Sequence, residues 1–169
     1  MPTRVVLIGR LVAFGLIFAV LQFWWEALRG SAIERVIIGD ITVRPAAFLL
    51  NALWGGVRVD AVGFSLMAEG SGITVRNGCE GLEALFLLAA GLAVAPIPWV
   101  SRFLGLLIGI PIVYLINQLR IVGLFLAYRA DPSMFDSLHA TIAPITIVLA
   151  VVGYYYVWLA KSRPVPPTA

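Results

Sequence analysis

The chain has 169 residues, of which 61% are hydrophobic and only 12% charged, against about 25% charged in an ordinary soluble domain. That balance excludes a soluble globular domain, and the length admits one compact membrane domain with a handful of spans of roughly 20 residues each. The net charge of +3 comes from basic residues that stand singly rather than in runs, so no nucleic-acid surface is expected, and the single cysteine excludes an internal disulfide.

The first apolar stretch, 11–25, follows Arg4 and Arg10 and ends in Phe23, Trp24 and Trp25, an aromatic cluster suited to a membrane interface. No Ala-x-Ala cleavage site follows it, so it reads as a retained anchor and first span. Residues 26–80 hold five arginines against six acids and read as an extramembrane segment. Within it Pro45 to Trp54 suits a short interfacial helix. The alternation at Val57, Val59 and Ala61 and at Ile73 and Val75, around Gly70 and Gly72, suits a hairpin.

Residues 81–95 are apolar apart from Glu83 and form the second expected span, closed by a turn at Pro96 and Pro98. The third span, 103–128, contains Pro111, whose missing N–H kinks a membrane helix without ending it. After a polar stretch over 129–137, the fourth span runs 138–159 and closes on Tyr154, Tyr155, Tyr156, Trp158 and Lys161. The Pro-rich tail, 164–169, reads as disordered. The expectation is an all-α integral membrane protein: about four transmembrane helices in a bundle, a single domain over 1–163, and a mixed extracytoplasmic segment between the first and second spans. Arg4 and Arg10, Arg102, and Lys161 with Arg163 share one side, which the positive-inside rule makes cytoplasmic together with both termini.

That topology carries Cys79, at the start of the second span, and His139, at the start of the fourth, to the outer boundary. Arg120 lies about 18 residues beyond Arg102, roughly 27 Å along a helix, and reaches the same side. A thiolate attacks a peptide carbonyl, a histidine moves protons near neutral pH, and an arginine stabilises a thiolate or oxyanion. Each residue also has a structural reading. A lone cysteine can be a buried small side chain, a histidine at a helix start an interfacial residue, and an arginine near a helix end a snorkelling one. Asn117, one turn before Arg120, can orient the arginine, bind substrate backbone or bond helix to helix. Asp136 can hold the imidazole as the third member of a triad does, or remain a solvated loop acid. Gly91, Gly105 and Gly109 let helices approach closely. One cysteine and one histidine among scattered acids show no metal-ligand spacing, and no cofactor is implied.

Asn77-Gly78-Cys79-Glu80-Gly81-Leu82-Glu83 resembles the exosortase and archaeosortase signature, in which a cysteine and a glycine two places later open a membrane helix. Asn117-Gln118-Leu119-Arg120-Ile121 is similar to the family's Asn-x-x-Arg segment, and His139 opens the next span as the family's histidine does. The resemblance covers about 76–158. The short length and the Cys79-x-Gly81-x-Glu83-Ala84 run look most like exosortase H. Where many members carry serine after the cysteine, this chain has Glu80.

The resemblance implies a membrane cysteine transpeptidase with Cys79, Arg120 and His139 as its catalytic group, and Asn117, Gly81 and Asp136 in support. Its implied substrates are exported proteins with a C-terminal sorting signal: a short motif, a hydrophobic helix and a basic end. The implied acceptor is an envelope lipid or glycan component, and the implied location is the inner or plasma membrane with the active site facing outward. Two rival readings stay open, an intramembrane protease that only hydrolyses and a non-enzymatic scaffold or channel subunit.

Overall fold

The computed structural model describes residues 2–54 and 56–162; Arg163 and the 164–169 tail lie outside them. The architecture is all-α and multi-pass. Helix α1 spans Pro2–Ala27, α2 Ala32–Leu53, α3 Leu82–Val94, α4 Trp99–Ala130 and α5 Pro132–Lys161. Three short strands, β1 (Asp60–Val62), β2 (Ser65–Ala68) and β3 (Ser71–Thr74), lie between α2 and α3.

Four of the helices, α1 (from Arg4), α2, α4 and α5, are long and apolar enough to cross a membrane. Two features differ in kind from the sequence reading. Residues 32–53, expected to be extramembrane with a helix only from Pro45, form one helix of 22 residues. Residues 81–95, expected as a full span, form a helix of 13 residues, about 20 Å long against a hydrocarbon core of about 30 Å.

Helix α2 starts on a capping motif. Ser31 accepts from the Glu34 N–H (3.2 Å), while the Glu34 carboxylate reaches back to the Gly30 N–H. Its middle, Arg35–Val43, is π-helical, and the Arg44 N–H donates to the carbonyl of Gly39. Pro45 supplies the reason: it has no N–H for the carbonyl four residues back, that of Ile41, and its ring crowds that oxygen. The Ile41 carbonyl instead accepts from the Tyr114 hydroxyl at 3.0 Å and faces Gln118 Nε2 at 3.5 Å; the same nitrogen donates to Thr42 O at 3.3 Å. A proline inside the helix thus frees a carbonyl that α4 captures. Asn51 then fixes the chain leaving α2, donating to the carbonyl of Val59 (2.7 Å) and accepting its N–H (2.8 Å).

The strands form one antiparallel sheet in the order β1-β2-β3, not the single hairpin expected. Gly63 and Gly70, at φ +59° and +75°, supply the two tight reversals.

The chain divides into two compact units. One comprises the residues up to Ala27, Glu83–Val113 and the chain from Val148; the other comprises Leu28–Leu82 and Tyr114–Ile147. In the first, glycines admit aromatic rings. The Tyr155 ring packs on Gly91 and its hydroxyl donates to the Gly91 carbonyl at 3.3 Å, while Tyr154 donates to Gly105 O at 2.6 Å and Trp158 to Ser101 O at 2.9 Å. Gly109 similarly lets Leu88 approach. Arg102 donates to the carbonyls of Ala93 (2.7 Å), in the last turn of α3, and of Ile97 (3.1 Å), in the turn that follows. The second unit contains Cys79, Arg120 and His139.

Candidate active site

Cys79 lies in a turn between β3 and α3, three residues before α3 begins. Two glycines in the left-handed region flank it, Gly78 at φ +95° and Gly81 at φ +88°. The turn closes when the Cys79 N–H donates to the carbonyl of Arg76 at 2.9 Å. Glu80 is buried, and its Oε2 accepts the Gly78 N–H at 2.7 Å. Its carboxylate therefore belongs to the framework of the turn.

Gly81 also solves a packing problem. A Cβ there would stand 2.9 Å from Cγ of Asn117, too close for any side chain without movement. That approach lets Asn117, itself buried, donate from Nδ2 to the carbonyl of Cys79 at 3.2 Å. Asn117 and Gly81 thus act on the placement of Cys79. Gln118, the next residue, anchors the same stretch of α4 to α2, a contribution that the sequence reading missed.

Arg120, one turn further along α4, brings Nη2 to 4.0 Å from the Cys79 sulfur. His139 brings Nε2 to 3.8 Å from the same atom. Both distances suit contacts to a large, diffuse sulfur, and catalytic contacts are commonly long before substrate binds. The local backbone at His139 is a π turn, Leu138–Ile142, in which the Ala143 N–H donates to the carbonyl of Leu138. Pro144 is the cause, since it has no N–H to offer Ala140. The wider turn re-aims the side chains on it, and such insertions recur at functional sites.

The imidazole is held by stacking. Phe135, one turn earlier, lies parallel to His139 with centroids 5.2 Å apart and planes within 6°, and the Tyr128 ring meets Phe135 edge-on at 5.2 Å. Asp136 is exposed and shares a cavity with His139, but His139 Nδ1 has no hydrogen-bond partner among the described residues. No triad-like Asp–His bond is formed.

Among the described residues, Asn117 Oδ1, Arg120 Nε and His139 Nδ1, on the three side chains that reach Cys79, have no hydrogen-bond partner. Two cavities open beside the group. A polar one of about 410 Å³ is lined by β3, Arg76, Tyr128, Asp136 and His139. An apolar groove of about 460 Å³ is lined by Arg120, Ile116, Leu119, Leu124, Leu138 and Ile147. His139 thus lines the polar cavity and Arg120 the apolar groove, and both side chains reach the Cys79 sulfur.

A protein-family model described as transmembrane exosortase matches residues 4–156, most of the chain. No curated protein and no solved structure matches it.

Proposed function

The chain belongs to the transmembrane exosortase family, and on that premise we propose that it is a membrane cysteine transpeptidase using Cys79, His139 and Arg120. The Cys79 thiolate attacks the carbonyl carbon at the recognition motif of an exported protein. Negative charge then develops on the carbonyl oxygen, and the Arg120 guanidinium compensates it. His139 gives a proton to the departing amine as the C–N bond breaks, leaving a thioester on Cys79. The released segment is the hydrophobic C-terminal signal with its basic end. His139 then takes a proton from an acceptor nucleophile, an envelope lipid head group or glycan component, which attacks the thioester carbonyl. The C–S bond breaks and the thiolate returns.

One observation carries this reading. Three side chains from a turn, α4 and α5 place Nε2 and Nη2 within 4.0 Å of a single sulfur. Asn117 and Gly81 support the nucleophile by fixing its carbonyl and its turn. The distribution of Arg4, Arg10, Arg102 and Lys161 supports placement in the inner or plasma membrane with both termini cytoplasmic and the site facing outward. Analysis of the product of a reporter carrying a C-terminal sorting signal tests the reaction. A product linked to an acceptor marks transfer, while a free carboxyl terminus marks hydrolysis and rejects the acceptor step.

A further inference from the structure

The sheet leaves one edge open on the side of His139. β3 is the last strand in the order β1-β2-β3, so only β2 pairs with it. In the β2–β3 register Ala68 faces Ser71, Met67 faces Gly72, Leu66 faces Ile73 and Ser65 faces Thr74. The Val75 N–H donates to the Phe64 carbonyl at 2.8 Å, which makes that pair a hydrogen-bonded one. Hydrogen-bonded and non-bonded pairs alternate in an antiparallel ladder. Ile73 and Ser71 therefore spend their amide groups on β2, and Gly72 and Thr74 direct theirs away from it.

Gly72 and Thr74 line the same polar cavity as Arg76 and His139. From these facts we propose that the outer edge of β3 is the docking rail for the polar, extended segment of the substrate just upstream of the attacked carbonyl. The segment adds as a further strand, exchanging main-chain hydrogen bonds with Gly72 and Thr74. Arg76, two residues beyond Thr74, offers a cation to a carboxylate or carbonyl of that segment.

Three considerations select this occupant. An unpaired strand edge is a template for another extended chain, and its repeat of two residues matches a peptide rather than a lipid tail or sugar ring. The cavity has His139 in its wall, and Nε2 of that residue is 3.8 Å from the Cys79 sulfur, so a strand seated on β3 delivers its next carbonyl toward the nucleophile. The apolar groove on the Arg120 side is chemically suited to the opposite, hydrophobic part of the same chain. The inference rests on the transpeptidase reading and deepens it by naming what holds the recognition segment.

The test uses the full-length protein in membranes with a reporter ending in a sorting signal. Thr74→Pro deletes an N–H that the register directs away from β2, while Thr74→Val keeps it. Processing by Thr74→Pro is expected to fall about three- to tenfold, the worth of one backbone hydrogen bond, with Thr74→Val close to wild type. Because proline can also disturb the sheet, a second arm leaves the enzyme intact. Synthetic substrates carry an ester in place of one amide at each successive upstream position, and losses are expected at alternate positions. Uniform tolerance of the esters, or wild-type processing by Thr74→Pro, overturns the docking rail while Cys79-dependent processing by wild type still upholds the reaction. If wild type does not process through Cys79 at all, the reaction and the rail fall together.

Discussion

Asn117 and Gly81 meet so closely that each constrains the other: residue 81 has φ +88°, and a Cβ on it would lie 2.9 Å from Asn117 Cγ. Through this contact Asn117 holds the Cys79 carbonyl. Gly81→Ala adds left-handed strain of about 1–2 kcal/mol and drives Asn117 off its bond. Reporter processing is expected to fall at least about tenfold at matched membrane levels. Gly15→Ala, at a position with nothing within 4 Å, is the control expected to behave as wild type. Equal processing by Gly81→Ala and wild type contradicts the packing argument.

Gln118 is predicted to be a stability residue. It is 2% exposed and its Nε2 donates to Thr42 O. Gln118→Leu leaves that carbonyl without its donor, though it also removes an Oε1 that has no partner among the described residues, so the net cost is expected near 1 kcal/mol. Thermal unfolding in detergent should show a midpoint lower by a few degrees. Tyr114→Phe should couple non-additively with it, because both side chains face the Ile41 carbonyl. Strict additivity contradicts the shared-carbonyl account.

Phe135, more than Asp136, should govern His139. The parallel ring contact is worth about 0.5–1.5 kcal/mol, whereas Nδ1 of His139 has no bond to Asp136. Phe135→Ala is expected to lower processing several-fold with Cys79 alkylation by a thiol reagent retained, and Phe135→Tyr to restore it. Asp136→Asn should cost less than Phe135→Ala. The reverse order points to a carboxylate that orients the imidazole once substrate is bound.

Asp131 caps the start of α5, the helix carrying Phe135 and His139. Its carboxylate accepts from the Ser133 hydroxyl (2.7 Å) and backbone N–H (2.9 Å), bonds that hold its pKa below the ordinary value. A depressed carboxyl contributes stability that is present above its unfolded pKa and lost as pH falls through the folded one. Hydrogen exchange at the Ser133 amide should therefore quicken in Asp131→Ala relative to wild type near neutral pH. Matched for intrinsic exchange, the difference should close as acid protonates the wild-type carboxylate. A difference that persists after protonation contradicts the cap.

The candidate site was legible because its parts are chemically rare in this composition. One thiol, one imidazole and an arginine in an apolar run stand out from any background of leucine and valine, and the topology read from charge and span length carries them to one side. What holds them was not legible. Phe135 and Gln118 are ordinary residues whose roles come from a stacked ring and a captured carbonyl, neither of which leaves a periodic trace. The extent of α2 was obscured by Arg35, Asp40, Arg44 and Pro45, which read as a polar segment. In the structure Asp40 and Arg44 pair one turn apart at 2.8 Å, and the proline is absorbed by a π-helical stretch whose spare carbonyl α4 takes up. The sheet was foreseen only as alternation, because strands of three and four residues give too short a pattern to set register. The turn glycines, Gly63 and Gly70, decide it instead.

The most direct test compares processing of a sorting-signal reporter by wild type, Cys79→Ala, Arg120→Ala and His139→Ala at matched membrane levels, with the enzyme-bound intermediate trapped and its linkage assayed. The account predicts loss of processing in all three variants and a thioester-linked species on wild type alone, released by hydroxylamine. Normal processing by Cys79→Ala contradicts it, and leaves Arg120 and Asn117 as structural links between helices.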